Sequence, residues 1–205
     1  MIIKMKISVL TPSYNRGALL KNLYNSLLKN KNYAEIEWLI MDDGSTDETK
    51  QIIEKLKTAQ EPHIEIKYFY QENQGKMAAI NNLVEKATGD LIVDCDSDDY
   101  FTDNAFEIIS KEYEKYQKEK SQEIYAFCFL KSNQNGKNMG KQFKKPITTM
   151  FDLYFKEGED GEKALVFISD IRKKYKHKLE NNEKFVTEAR MYHEMDLQYK
   201  IKCVN

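Results

Sequence analysis

The sequence predicts an α/β fold in which a mostly parallel sheet is flanked by helices and followed by a less regular second half. Three observations predict it. Short runs rich in Ile, Val, Tyr and Phe recur near residues 5–10, 36–41, 64–70 and 90–94, each about the length of a buried strand. Between them, apolar residues return at helical spacing: Leu19, Leu20, Leu23, Leu27 and Leu28, then Ile52, Ile53 and Leu56, then Ala79, Ile80, Leu83, Val84 and Ala87. Strand and helix alternating at this pitch imply right-handed βαβ units.

The first strand starts almost at Met1, in the alternation Ile2 to Leu10, so the N-terminus reads as a strand and not as a signal peptide. In the second half, residues 104–119 read as a charged amphipathic helix. Its aromatics, Phe106, Tyr113 and Tyr116, are expected in the core and not as a ligand platform. Ile124 to Leu130 reads as a strand, and residues 131–147, rich in Asn, Gly and Lys, as a mobile loop. Ala164 to Ser169 is a further strand, and a last helix over about 184–198 leads into the strand-like run Tyr199 to Val204. The chain stops inside that run, which fits a truncated protein or one lacking a C-terminal element that completes a site. No internal repeat is present.

With 205 residues the chain suits one domain with a real core. Its 33 acidic and 32 basic residues nearly cancel, so no global field points to nucleic acid. Cys95, Cys128 and Cys203 lie far apart without a CxxC pair, as expected of reduced thiols in a cytoplasm and not of a disulfide framework. No apolar stretch reaches membrane-spanning length. The expectation is an intracellular, soluble globular protein. The three histidines show no metal-ligand spacing.

In open α/β sheets ligands bind beyond the carboxyl ends of the strands, and four such ends carry chemistry here. The run Leu91 to Asp99 passes from an apolar strand into Asp94, Asp96, Asp98 and Asp99. Carboxylates gathered without a counter-ion raise one another's pKa, so one reading is a site for Mg²⁺ or Mn²⁺ shared with a substrate's phosphates. The other is an acidic turn capping the next helix. After the first strand comes Thr11-Pro12-Ser13-Tyr14-Asn15-Arg16, where Tyr14 offers a ring for a nucleobase. The plainer alternative is a turn with a helix cap from Ser13 or Asn15. After the second comes Asp42-Asp43-Gly44-Ser45-Thr46-Asp47. Ser45 or Thr46 can cap a helix, whereas the paired carboxylates suit an imide N–H or a ribose hydroxyl. After the third, Gly75 permits a tight turn, and Lys76 adds a positive charge at a helix start, where anions are already favoured. Together these four ends make a nucleoside-diphosphate site.

In this order and spacing the motifs resemble the family 2 glycosyltransferases of GT-A fold, with its Rossmann-like sheet. The resemblance covers roughly residues 6–110: Ser8 to Asn15, Asp42 to Asp47, Asn73 to Lys76, Ala87 to Asp90 and Asp96 to Asp99. It implies one glycosyltransferase domain over 1–205, with 1–100 binding a nucleotide sugar, UDP-linked by expectation, and 101–205 facing a saccharide or lipid-linked acceptor. Thr11, Pro12, Tyr14, Asp43, Lys76, Asp96 and Ser97 are the implied nucleotide-sugar contacts. Asp98 is the implied direct metal ligand, with Asp96 as its companion. Two departures stand out: Ala79-Ile80-Asn81 replaces the Ala-Arg-Asn of many members, and the proline after the metal motif is missing, the chain reading Phe101-Thr102-Asp103-Asn104. The segment Glu183 to Ala189 resembles the family's base-bearing stretch, making Glu188 the expected base over Glu183 and Glu194.

The implied chemistry needs a cation to stabilise the departing diphosphate and one carboxylate to take the acceptor's proton, with inversion at the anomeric carbon. Two other readings share parts of this pattern. A nucleotidyltransferase would want a glycine-rich loop after the first strand, where this chain has only Gly17. A nucleotide-sugar-binding module without turnover is the second. Lys137 to Lys145 and Arg172 to Lys178 suit either solvated surface or peripheral contact with anionic lipids at the inner face of a membrane. Nothing in the pattern sets an oligomeric state.

Overall fold

The computed structural model describes residues 5–59, 61–119, 123–133, 135–180, 183–184 and 186–205. Strands β1 (Lys6–Ser13) and β2 (Glu35–Asp42) are buried on both faces after their first residue, as central strands of a parallel sheet must be. They pair in register from Lys6 opposite Glu35 to Ser13 opposite Asp42. β3 (Ile64–Tyr70) extends the sheet beyond β2, and β4 (Leu91–Asp94) lies on the other side of β1. All four run parallel, so their carboxyl ends open on one rim.

The second half continues the same sheet with β5 (Ile124–Leu130), β6 (Ile147–Thr148), β7 (Lys163–Ile168) and β8 (Lys200–Val204). The full order is β3-β2-β1-β4-β7-β5-β8-β6. β7 runs antiparallel to both β4 and β5, and β6 antiparallel to β8. The parallel character expected from the sequence therefore holds through β4 and gives way to a mixed arrangement after it.

Helices cover both faces. α1 (Leu20–Asn30), α2 (Thr49–Thr58) and α4 (Ala105–Glu119) bury Leu20, Leu23, Ile53 and Phe106 against Val9, Trp38 and Ile40. α3 (Lys76–Lys86) and α6 (Ala189–Asp196) pack Met77, Ile80, Leu83, Met191 and Met195 against Leu10, Leu39 and Phe167 on the opposite face. Phe106 is in the core as expected, with Tyr113 and Tyr116 packed against it. A short helix α5 (Ser169–Arg172) follows β7.

The last helix is shorter than its sequence suggests. It begins at Ala189, whose N–H donates to the Thr187 hydroxyl at 3.3 Å. The segment before it is held by other contacts: Val186 is buried, and the Lys184 carbonyl packs over Gly75. Among the described residues no helix is long and apolar enough to cross a membrane.

At the opposite end of the sheet, Glu37 is fully buried and accepts from Ser8 Oγ (2.7 Å), the Thr88 N–H and hydroxyl (2.8 Å each) and Lys67 Nζ (2.7 Å). Burial alone would push its carboxyl up; the donors outweigh it and hold the pKa down to about 2. This network ties β1, β2, β3 and the turn before β4 together.

Candidate active site

The exits of β1 and β2 are locked to each other. Asn15, in the left-handed region at φ 53°, accepts from the Thr46 N–H at 2.8 Å, while its own N–H donates to Ser45 Oγ at 2.9 Å. The carboxylate at the start of α2 is Asp47, which accepts from the Thr49 N–H at 3.0 Å, in place of the Ser45 or Thr46 cap expected from the sequence. Asp42 is structural: it accepts from the Ser45 N–H and the Tyr68 hydroxyl.

Asp43 is nearly buried and accepts from Gln71 Nε2 (2.7 Å) and from the N–H groups of Gln74 and Gly75 (2.8 Å each). A carboxylate has about four acceptor positions, so one remains, on Oδ2, for a ligand. The same bonds fix the loop that starts α3. Gly75 has φ +92°, and a Cβ there would meet the Lys184 carbonyl oxygen at 2.3 Å, so glycine is required twice over.

Around this frame lies a cleft of about 310 Å³ walled by the Pro12–Tyr14 turn, Arg16, Asp43 and Ser97. Tyr14 is half exposed, and the buried Ser13 hydroxyl in the wall has no hydrogen-bond partner among the described residues. Thr11 corrects the sequence reading. It is fully buried, and its hydroxyl accepts from the Trp38 indole N–H at 2.9 Å, so the side chain lies beneath the cleft and not in it.

A second, larger cleft of about 670 Å³ adjoins the first, and both are lined by Lys76 and Asp96. Lys76 Nζ is 2.9 Å from Asp96 Oδ2 and 3.5 Å from Glu188 Oε1. Burial would pull the ammonium down, but bonding and attraction from Asp96, then Glu188, leave it above its ordinary value. Glu188 lies in the larger cleft, immediately before α6. Its two competitors are elsewhere: Glu194 is tied to Lys178 at 2.6 Å, and Glu183 is exposed outside both clefts.

The acidic run divides by position. Asp98 pairs with Arg16 at 2.8 Å, and Asp99 with Lys131 at 2.9 Å. Asp94 Oδ1 is buried with no hydrogen-bond partner among the described residues, and its Oδ2 is 3.9 Å from the guanidinium of the fully buried Arg172. Burial pushes the Asp94 carboxyl up against the pull of Arg172. Arg172 thus leaves the basic surface stretch to which its sequence position assigned it.

Among the described residues no group of three or more His, Cys, Asp or Glu side chains can hold a metal alone. Asp96 and Asp98 each give one oxygen to a cationic side chain, and their second oxygens have no hydrogen-bond partner among the described residues. Two carboxylates completed by substrate phosphates and water suit Mg²⁺ or Mn²⁺, so the residues fit a cation that arrives with its diphosphate.

Several cleft residues were missed in the sequence. Arg16, Lys131, Phe151, Phe155, Tyr192 and His193 all line one cleft or the other. The i, i+4 pairs Glu188/Tyr192 and Phe151/Phe155 were the available signal, each placing two chemically useful side chains on one helical face.

The chain is similar to known glycosyltransferases. An uncharacterised glycosyltransferase of Mycoplasma genitalium is 34% identical over 131 residues, covering 62% of this chain and 42% of that protein. A GalNAc(5)-diNAcBac-PP-undecaprenol β-1,3-glucosyltransferase of Campylobacter jejuni is 31% identical over 126 residues, covering 60% and 37%. The chain thus spans less than half the length of these relatives. Among solved structures, S. aureus TarS residues 1–349 with UDP superposes at a TM-score of 0.72 with 22% identity, covering 98% of this chain and 58% of that one. A mannosyltransferase of Pyrobaculum calidifontis with GDP-Man and Mn²⁺ superposes at 0.63 with 17% identity, covering 99% and 55%. These likenesses show the GT-A fold. The model of glycosyl transferase family 2 matches residues 8–188, and this chain belongs to that family.

Proposed function

We propose that the chain transfers a sugar from a UDP-linked donor to an acceptor hydroxyl, with cation assistance and inversion at the anomeric carbon. The observation that carries this reading is the meeting of two clefts at Lys76 and Asp96, with Glu188 in the larger one. Support comes from TarS, whose structures hold UDP and UDP-GlcNAc, and from the C. jejuni relative named as a glucosyltransferase.

The base lies on the Pro12–Tyr14 turn, and the remaining acceptor position of Asp43 takes its imide N–H. Ser97 and Asp96 lie on the ribose side, and Lys76 neutralises part of the diphosphate charge. Asp96 and Asp98 would hold Mg²⁺ or Mn²⁺, which would supply charge stabilisation to the leaving diphosphate. Glu188 accepts the acceptor hydroxyl's proton as the oxygen attacks from the larger cleft. Diphosphate leaves without protonation, so one carboxylate suffices where glycoside hydrolysis needs two. The three cysteines are buried and unpaired, which fits a reducing cytoplasm, the acceptor being a saccharide free or lipid-linked at the membrane's inner face.

Incubation with UDP-sugars and Mn²⁺ tests the reading. UDP release that depends on an acceptor and disappears in Asp98→Ala is expected. NMR of the product anomer checks the stereochemistry, and retention would remove Glu188 from the base role.

A further inference from the structure

Two phenylalanines lie unusually far out of the core. Phe155 is 76% exposed and Phe151 44%, and both line the larger cleft. Their ring centroids are 4.8 Å apart, and the Phe151 ring is 6.0 Å from that of His193. They are not carried on a loose tip. Phe151 leads into a π-helical turn (Asp152–Lys156) closed by the Glu157 N–H donating to the Asp152 carbonyl at 2.9 Å. Asp196, at the end of α6, accepts from the N–H groups of Met150 (3.2 Å) and Phe151 (2.9 Å) and from the Tyr125 hydroxyl (3.1 Å). Leu153 is fully buried beneath, and the Tyr154 hydroxyl donates to the Gly161 carbonyl. π-Helical turns inside helices are rare and concentrate at functional sites. Here the turn holds two aromatic faces open to solvent in the cleft that contains Glu188.

We propose that Phe151 and Phe155 form a platform on which a saccharide ring of the acceptor stacks, the acceptor hydroxyl then being presented to Glu188. The proposal rests on the transferase reading and names the chemistry of its acceptor side. The cleft's polarity selects a saccharide over an isoprenoid chain. Eight of its seventeen lining residues are charged, and Thr187, Tyr154, Tyr192 and His193 add hydrogen-bonding groups. Exposed ring faces bordered by hydroxyl-binding side chains suit the apolar C–H face and polar edge of a sugar. A hydrocarbon tail would take water from those charged side chains and return no hydrogen bond.

The test is saturation-transfer NMR on the full chain with aromatic protons irradiated, using methyl β-glycosides of glucose, galactose and N-acetylglucosamine, with citronellol as the isoprenoid probe. Saturation of ring C–H protons in at least one glycoside is expected, weakened by roughly fivefold in Phe155→Ala. Phe155 is mostly exposed, so an unchanged melting temperature is expected in the variant. The platform is overturned if no glycoside is saturated, if Phe155→Ala leaves the signal intact, or if citronellol alone gives a Phe155-dependent signal. UDP with Mn²⁺ is titrated on the same samples, so failure of the donor reading registers separately from failure of the platform.

Discussion

Lys76 and Asp96 form an ion pair, Nζ to Oδ2 at 2.9 Å, at the edge that two clefts share, and the same ammonium reaches Glu188. A single cation thus stands between the group proposed to meet the diphosphate and the group proposed to take the proton. Replacing it with Met, which keeps the length and removes the charge, should weaken UDP binding about tenfold, the scale of one charge-assisted contact. Titration calorimetry reads this directly, and unchanged affinity would take Lys76 out of diphosphate binding.

Glu188→Gln should lower transfer by about 10²–10⁴-fold, the range for removing a general base, with UDP affinity kept near wild type. The same change at Glu183 or Glu194 should leave the rate within about twofold, since neither lies in the clefts. Comparing kcat across the three variants identifies the base.

Among the described residues Asp98 is paired only with Arg16, and about half its side chain is exposed. Asp98→Asn should abolish the Mn²⁺-dependent part of UDP binding, and EDTA should do the same to wild type. Thermal shift with UDP in the presence and absence of Mn²⁺ measures both; a UDP-induced rise indifferent to metal would refute the assignment.

How much of this was legible in the sequence differs between the halves. β1 to β4 could be read because each apolar run ends in turn residues and is followed by a helical period, both local signals. The insertion of β7 between β4 and β5 could not, since Leu91 meets Ile168 across a long loop of chain, and propensity carries no pairing information. Thr11 was misplaced for a related reason: motif membership does not say which face of a strand a residue takes, and Thr11 faces Trp38 of the neighbouring strand. Asp43 stood out as a carboxylate at a strand end and lines the smaller cleft, but its bonds to the loop at Gly75 depend on distant backbone. Glu188 emerged only through the family resemblance, because a glutamate on a charged segment looks like ordinary surface.

Gly75→Ala should destabilise the fold by about 1–3 kcal/mol through its strained φ and loosen the loop that carries Lys76. Urea unfolding and UDP titration of the variant together check this. Loss of stability without loss of UDP affinity would show that the loop does not set the position of Lys76.

Acid should unfold the protein in two overlapping windows. Glu37 is held down to about 2 in the fold against an ordinary value of 4.5, so its stabilisation is complete above about pH 4.5 and disappears as pH falls toward 2. The amount is on the order of 3 kcal/mol. His177, pushed down to about 4 by burial and then by Arg172, has the same sign: its contribution is full above pH 6.5 and lost toward pH 4. Glu37→Gln should flatten the lower window and His177→Gln the upper one, as read from unfolding free energies at stepped pH.

Trp38 is the only tryptophan in the chain, and its indole is bonded to Thr11 directly beneath the smaller cleft. Tryptophan fluorescence, excited beyond the tyrosine absorption, therefore comes from one buried point under that floor. The base proposed to lie on Pro12 and Tyr14 would rest on the strand that carries Thr11, the hydrogen-bond partner of that indole. Emission near the blue end of the tryptophan range is expected, and a change on adding nucleotide but not a glycoside would make that indole an unlabelled optical reporter for the proposed donor alone.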